Sequence, residues 1–154
     1  MIVHLVDYDS KIPNLALMRV SSYHKSLGDE VRYSKGKKAS IALDVDKIYI
    51  SCIYKKNKKH VNTFIDSLNN EYSDSPVEID VGGSGYDLKK VLSDEIESMK
   101  PDYSLYPDCD SSYGFSSRGC PRVCSFCIVR SNLTCHINFI FLIIPHFYPF
   151  SPKS

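Results

Sequence analysis

Short apolar runs alternate in the first two thirds of the chain with longer segments in which apolar residues recur every three or four positions. The short runs, rich in Ile, Val and Tyr, predict strands at residues 2–6, 30–33, 47–54, 76–81 and 102–106. The longer segments predict helices at residues 14–27, around 61–68 and at 87–99. Strands that alternate with helices of this length favour a parallel sheet with helices on its faces. Residues 1–106 are therefore expected to form a Rossmann-like, doubly wound α/β domain.

Two loops that follow predicted strands contain candidate binding residues. Asp7 and Asp9 follow the first strand, where paired carboxylates can bind a metal or a ribose, but a turn or capping role is commoner at such a position. The glycine-rich loop at residues 82–85 has backbone N–H groups that can hold a phosphate. The full dinucleotide fingerprint requires a glycine where Leu88 stands, and a tight strand-to-helix turn explains the glycines equally well.

Charged residues are distributed unevenly along the chain. All 18 acidic residues and 18 of the 19 basic residues lie within residues 1–130, and Lys153 is the remaining one. Residues 131–154 are instead apolar and aromatic, with several prolines. The apolar run at 137–144 is much shorter than the ~20 residues of a transmembrane helix, so no transmembrane span is predicted. This divergent tail is read as a buried strand, a surface-seeking segment or, the favoured interpretation, sequence translated after a frameshift.

The formal net charge of +1 predicts no global attraction to nucleic acid. Two lysine-rich runs, at residues 35–38 and 55–59, are interpreted as solvated ends of strands and helices, so no nucleic-acid partner is expected. The chain opens with a strand-like segment and no secretory signal, which favours a cytoplasmic location.

Three cysteines in a CxxxCxxC spacing are the most specific chemical signal in the chain. They are Cys120, Cys124 and Cys127, with Phe126 directly before the last. Three thiolates on one short loop can ligate three irons of a [4Fe-4S] cluster and leave the fourth iron open. A zinc site needs four ligands, which Cys109, Cys135 or His136 could complete. One CxxC knuckle is present where zinc sites usually have two, so the cluster is favoured over zinc and over disulfides.

The cysteine spacing and Phe126 resemble the signature of the radical S-adenosylmethionine (SAM) superfamily. Residues 1–130 look like the start of a member in which a cobalamin-binding-type domain precedes the cluster loop. The resemblance implies that the three cysteines hold the cluster, that Phe126 lines the SAM site near the adenine, and that residues 107–130 open the catalytic barrel. It also implies SAM as cofactor and an electron donor such as a flavodoxin or ferredoxin, with an unknown substrate.

The chain departs from this family in two respects. Counted from Asp9, the DxHxxG pattern of the cobalamin loop meets Lys11 at its histidine and Asn14 at its glycine, so no cobalamin is expected. A barrel needs roughly 200 residues beyond the cluster loop, whereas 27 follow Cys127. The expectation is an N-terminal fragment that is inactive alone, and its assignment as an enzyme rests on resemblance. The alternative is a small α/β binding module with a structural zinc site and a partner-docking tail.

Overall fold

A parallel sheet forms the centre of the domain. The computed structural model describes residues 1–37, 39–73 and 77–109, and Met1–Cys109 forms one compact unit. Within these ranges the strands are β1 (Ile2–Asp7), β2 (Glu30–Lys35), β3 (Lys47–Ser51) and β4 (Glu78–Gly82), in the spatial order β2-β1-β3-β4. Each neighbouring pair is parallel. The strands therefore all end at one edge of the sheet, called the carboxyl edge below.

Helices cover both faces of this sheet. Helix α1 (Leu15–Ser26) packs Leu17 and Val20 on one face, and α2 (Lys58–Glu71) packs Val61 and Leu68 on the other. A short helix, α3 (Asp94–Ser98), lies beside α1. The predicted α/β class, with a parallel sheet and helices on both faces, is confirmed. The predicted start of a barrel, residues 107–130, lies outside the described residues except for 107–109 and stays a prediction.

Strand β1 is buried on both faces because its side chains alternate between the two layers. Val3 and Leu5 contact the α1 layer, while Val6 contacts the α2 layer, and all three are fully buried. Full burial of a branched apolar side chain contributes roughly 1.5–3 kcal/mol. A strand covered in this way reads as an unbroken apolar run, which is why the sequence predicts it well.

Helix α1 lies within one residue of the predicted range, 14–27, at each end. Asn14 is the N-cap, and its side chain accepts a hydrogen bond from the backbone N–H of Leu17. At the other end Gly28 has a φ of 81°, the left-handed conformation in which glycine ends helices. The Asp29 N–H then donates to the carbonyl of His24 and closes the last turn.

The predicted helix at residues 87–99 is wrong over most of its length. Helix α3 covers Asp94–Ser98, and residues 87–93 are irregular. Leu88 and Val91, which were expected on the buried face, are 42% and 77% exposed. The Asp87 side chain accepts the N–H of Lys89 and holds the chain in a turn, so the helical spacing has no packing partner here.

Two strand predictions also need correction. Residues 102–106 form a 3₁₀ turn at Tyr103–Leu105 because the Asp102 carboxylate accepts the N–H of Ser104. Strand β3 ends at Ser51, before the predicted residue 54, because the N–H groups of Ile53 and Tyr54 donate to the Asp9 carboxylate in the loop after β1. Across the described ranges, no helix is long and apolar enough to span a membrane.

His4 is a buried titratable side chain on β1. Its Nε2 atom lies 2.8 Å from the Ser34 hydroxyl, while its Nδ1 atom has no hydrogen-bond partner among the described residues. Burial, and then the nearby Arg32 guanidinium, lower the pKa of His4 below 6.5. At pH values between the folded and the unfolded pKa of His4, the imidazole is therefore neutral in the folded protein and protonated in the unfolded chain.

We expect acidification to destabilise the protein through His4. The unfolded histidine takes up a proton near pH 6.5 and the folded one at a lower pH, so the free energy of unfolding falls as pH drops below about 6.5. The free energy of unfolding falls by at most about 1.4 kcal/mol per pH unit, and this dependence stops once the pH is below the pKa of His4 in the folded protein. His4→Gln, which keeps a polar partner for Ser34, should flatten this slope in urea unfolding curves measured between about pH 7 and 5. An unchanged slope in the variant would contradict the assignment.

Candidate functional site

The strand order places a topological switch point between β1 and β3. From β1 the chain moves to β2 on one side, and it then returns across β1 to β3 on the other. The loops after β1 and β3 therefore leave the carboxyl edge in opposite directions. Ligands of parallel α/β sheets bind in the crevice at such a point. Residues 8–14 and 52–57, which form these two loops, are the candidate site.

Asp9 joins the two loops across this crevice. Its carboxylate oxygens accept hydrogen bonds from the backbone N–H groups of Ile53 at 2.7 Å and Tyr54 at 3.1 Å, and from the Asn57 side-chain amide at 2.7 Å. These donors are the kind that a bound anion uses at a switch point. Because these donors already bond to the Asp9 carboxylate, Asp9 holds the loop after β1 against the loop after β3. This contact is called the clamp below.

Asp7 is a fully buried carboxylate at the end of β1. It accepts hydrogen bonds from the Ser10 N–H at 3.1 Å, the Tyr106 hydroxyl at 2.8 Å and the Tyr33 hydroxyl at 3.3 Å. The bond to the N–H of Ser10, three residues on, holds the loop after β1 in place, which fits the turn or capping role expected at this position. Burial raises the pKa of Tyr33 to about 12 and raises that of Tyr106 further. Both phenols therefore stay protonated and can donate to the carboxylate.

Asn14 connects this carboxylate site to β3 and α1. Its side-chain amide donates to the Ser51 hydroxyl at 2.7 Å and to the Ser10 hydroxyl at 3.2 Å, while its own N–H donates to the Tyr106 hydroxyl at 3.0 Å. These buried polar groups form hydrogen bonds with one another, so the network is rigid. Together with Asp7 it is called the floor of the switch point below. The segment that leads to Cys109 is tied to this floor through Tyr106.

The glycine-rich loop after β4 packs its backbone against the β3 loop. Gly83 has a φ of 98°, and a Cβ atom there would lie 2.4 Å from the carbonyl oxygen of Cys52. A Cβ atom at Gly85 would lie 2.5 Å from the Tyr54 carbonyl carbon, and the Gly85 N–H donates to Cys52 at 2.9 Å. Close approach of two backbones accounts for these glycines. No helix follows the loop directly, since α3 begins at Asp94, which removes the helix-terminus basis for a phosphate site.

Cys52 lies beneath the clamp and is an unreactive thiol. Its sulfur is 3.5 Å from a carboxylate oxygen of Asp9 and is fully buried. Burial and then the Asp9 charge raise the pKa of the Cys52 thiol to about 11. The thiol therefore stays protonated at neutral pH and is a poor metal ligand. Within the described ranges, no group of three or more His, Cys, Asp or Glu side chains is arranged to hold a metal ion.

The sheet brings the two lysine-rich runs to the same edge. Lys35 ends β2 and Lys37 follows it, while the run at residues 55–59 follows β3, and the described lysines of both runs are exposed. The axes of β2 and β3 are roughly 10 Å apart because β1 lies between them. Tyrosine rings lie under three of these ammonium groups: Lys35 over Tyr106, Lys56 over Tyr54 and Lys58 over Tyr86. Local sequence patterns did not reveal this convergence, since it depends on the strand order.

The cysteine loop lies outside the described residues. Cys120, Cys124, Cys127 and Phe126 therefore stay sequence predictions. The positions that were compared with the cobalamin pattern are described: Lys11 is exposed in the loop after β1, and Asn14 caps α1.

Comparisons of the chain with protein-family models, with curated proteins and with solved structures found no match. Its function is therefore inferred from the geometry of the carboxyl edge and from the cysteine spacing.

Gly83→Ala should destabilise the protein far more than Gly36→Ala. Both glycines have a positive φ, 98° and 107°, but the space around Gly36 is open to 4 Å. Gly36→Ala therefore measures the backbone strain alone, about 1–2 kcal/mol. Gly83→Ala adds the clash with Cys52, about 1–3 kcal/mol more. Equal losses of unfolding free energy in urea would show that the two loops do not pack this closely.

Tyr106→Phe should destabilise the folded protein by about 2–3 kcal/mol because it removes a donor from a buried carboxylate and leaves the Asn14 N–H without its acceptor. Tyr33→Phe is the matched control. It removes a longer bond of 3.3 Å to the same oxygen of Asp7 and should cost less than about 1 kcal/mol. Urea unfolding of both variants measures the difference, and a loss in Tyr33→Phe as large as that in Tyr106→Phe would refute this ranking.

Proposed function

We propose that this chain is the N-terminal part of a radical SAM enzyme whose [4Fe-4S] cluster is held by Cys120, Cys124 and Cys127. The cysteine spacing carries the proposal, because it provides three thiolates on one short loop and no fourth within the motif. When bound, such a cluster supplies the electron for reductive cleavage of SAM. The resemblance to the superfamily motif supports this chemistry.

The remaining residues of the loop have roles that suit a thiolate site. Arg118 and Arg122 flank Cys120 in sequence, and positive charge nearby favours the thiolate form that binds metal. Phe126 is proposed to line the SAM site near the adenine, where an aromatic ring provides an apolar stacking surface. Thiolates of this kind need a reducing compartment, so a cytoplasmic location is part of the proposal.

The α/β domain is proposed to recognise substrate or to support the cluster loop, without cobalamin bound through a protein histidine. The carboxyl edge suits either role because its floor is a fully paired polar network around Asp7 and Asn14. Lys11 stands at the position where the cobalamin pattern has its cobalt-ligating histidine, so the imidazole ligand of that pattern is missing.

Anaerobic reconstitution of the 154-residue chain with iron and sulfide tests the proposal. We expect a brown protein that contains about four iron and four sulfide per chain. Alanine at Cys120, Cys124 or Cys127 should each abolish this cluster, because three irons need three thiolates. Cys52→Ala is the matched control and should leave the iron content unchanged, since the Cys52 thiol is buried and protonated.

The zinc alternative predicts a different outcome of the same preparation. Zinc would remain bound at one equivalent after aerobic purification, and iron and sulfide would produce no brown chromophore. Cys109→Ala, Cys135→Ala and His136→Ala would then identify the fourth ligand. Full iron and sulfide content in the alanine variant of Cys120, Cys124 or Cys127 would also contradict the assignment of these cysteines as cluster ligands.

A further inference from the structure

Among the described residues, ion pairs are more frequent at the amino edge of the sheet than at the carboxyl edge. At the amino edge, acidic side chains pair with Met1, His24, Arg32 and Lys47. At the carboxyl edge, exposed lysines lie at the end of β2 and in the loops that follow the strands, and one of them, Lys90, pairs with Asp80. Within the described ranges no ion pair joins the others, which are Lys11, Lys35, Lys37, Lys55, Lys56, Lys58, Lys59 and Lys89. The nearly neutral chain therefore presents one strongly positive edge.

Lysines precede helix α2 and lie in its first turn, which is the end of a helix where positive charge is unfavourable. The N-terminus of a helix carries a partial positive charge, and anions are favoured there. Helix α2 has no acidic residue in its first turn and no side-chain cap, yet Lys58 and Lys59 lie in that turn. Lys55 and Lys56 precede them, separated only by Asn57. Positive side chains at this position are unfavourable for helix α2.

An exposed apolar centre lies among these lysines. Ile12, Ile53 and Tyr54 are 67%, 37% and 38% exposed, and they lie in the two loops that the Asp9 carboxylate joins. With Lys11, Lys55 and Lys56 they form what we call the switch-point patch. An apolar centre with a charged rim is the usual anatomy of a protein interface.

We propose that the switch-point patch binds an acidic protein segment. An apolar side chain of that segment would cover Ile12, Ile53 and Tyr54, and its carboxylates would face the surrounding lysines. The charges of the carboxyl edge supply the electrostatic complementarity, and the clamp at Asp9 holds the two loops in place before binding.

Nucleic acid fits the patch less well. The arginines of the described ranges, Arg19 and Arg32, pair with Glu97 and with Glu30 and Asp44, so none of them lies free at this edge to form the bidentate contacts that phosphates and bases favour. Ile12 and Ile53 add aliphatic surface that has no counterpart on a phosphate backbone. A second copy of the chain also fits less well, because Asp29, Asp44 and Glu78 at its amino edge are already paired.

Fluorescence anisotropy tests the proposal on the full chain. The probe is a labelled peptide of about 12 residues in which glutamates surround two leucines, and a uridine oligonucleotide of the same length is the comparison. We expect the peptide to bind more tightly than the oligonucleotide and to weaken about tenfold when salt rises from about 50 to 200 mM. Ile53→Ser should weaken peptide binding about fivefold without changing the charge.

Two charge reversals separate the patch from net charge. Lys56→Glu should weaken peptide binding about tenfold, whereas Lys100→Glu, the same charge change at an exposed site outside the patch, should change it less than about twofold.

Lys59→Glu should raise Tm, since it places an acid in the first turn of α2, and it should weaken peptide binding at the same time. A weaker complex from a more stable protein excludes unfolding as the cause.

Three results would overturn the proposal: tighter patch-dependent binding of the oligonucleotide, equal effects of Lys56→Glu and Lys100→Glu, or no binding of the peptide. None of these measurements uses a metal or the cysteine loop. The failure of this proposal is therefore distinguishable from the failure of the cluster assignment.

Discussion

The pairing of β1 with β2 on one side and β3 on the other is the constraint on which the described domain depends. A central parallel strand must be covered on both faces, so α1 and α2 have to lie on opposite sides of the sheet. This requirement creates the switch point between β1 and β3. It also directs the loops after the described strands to one edge, which brings residues distant in sequence into one surface.

The carboxylates at this edge stabilise the fold, although their positions after a strand resemble those of ligand-binding residues. Asp7 is buried among hydroxyl and N–H donors, and Asp9 joins the β1 loop to the β3 loop. Removing a partner from a buried charge leaves a large desolvation penalty, so these groups are held in one arrangement. The Gly83 and Gly85 loop strengthens the same junction by close backbone contact.

Local patterns were sufficient where burial decides the structure. The apolar run of β1 and the helical spacing over residues 14–27 each predicted an element close to its observed position. The helical spacing through Leu88 and Val91 failed because these side chains find no packing surface, and periodicity alone cannot show that. The bond between Asp7 and Tyr106 joins residues 99 positions apart, so no local pattern predicts it. The cysteine motif is different, because its information lies in the spacing itself.

The engaged backbone donors limit how this edge can recognise a ligand. In many parallel α/β proteins, free N–H groups in the loops bind an anionic group directly. Here Asp9 holds the N–H groups of Ile53 and Tyr54, and Cys52 holds that of Gly85. Recognition at the switch point must then come from side chains, and the exposed side chains available there are lysines and a few apolar groups. Flexible lysines give long-range attraction with little geometric selectivity, so the apolar centre has to supply the specificity.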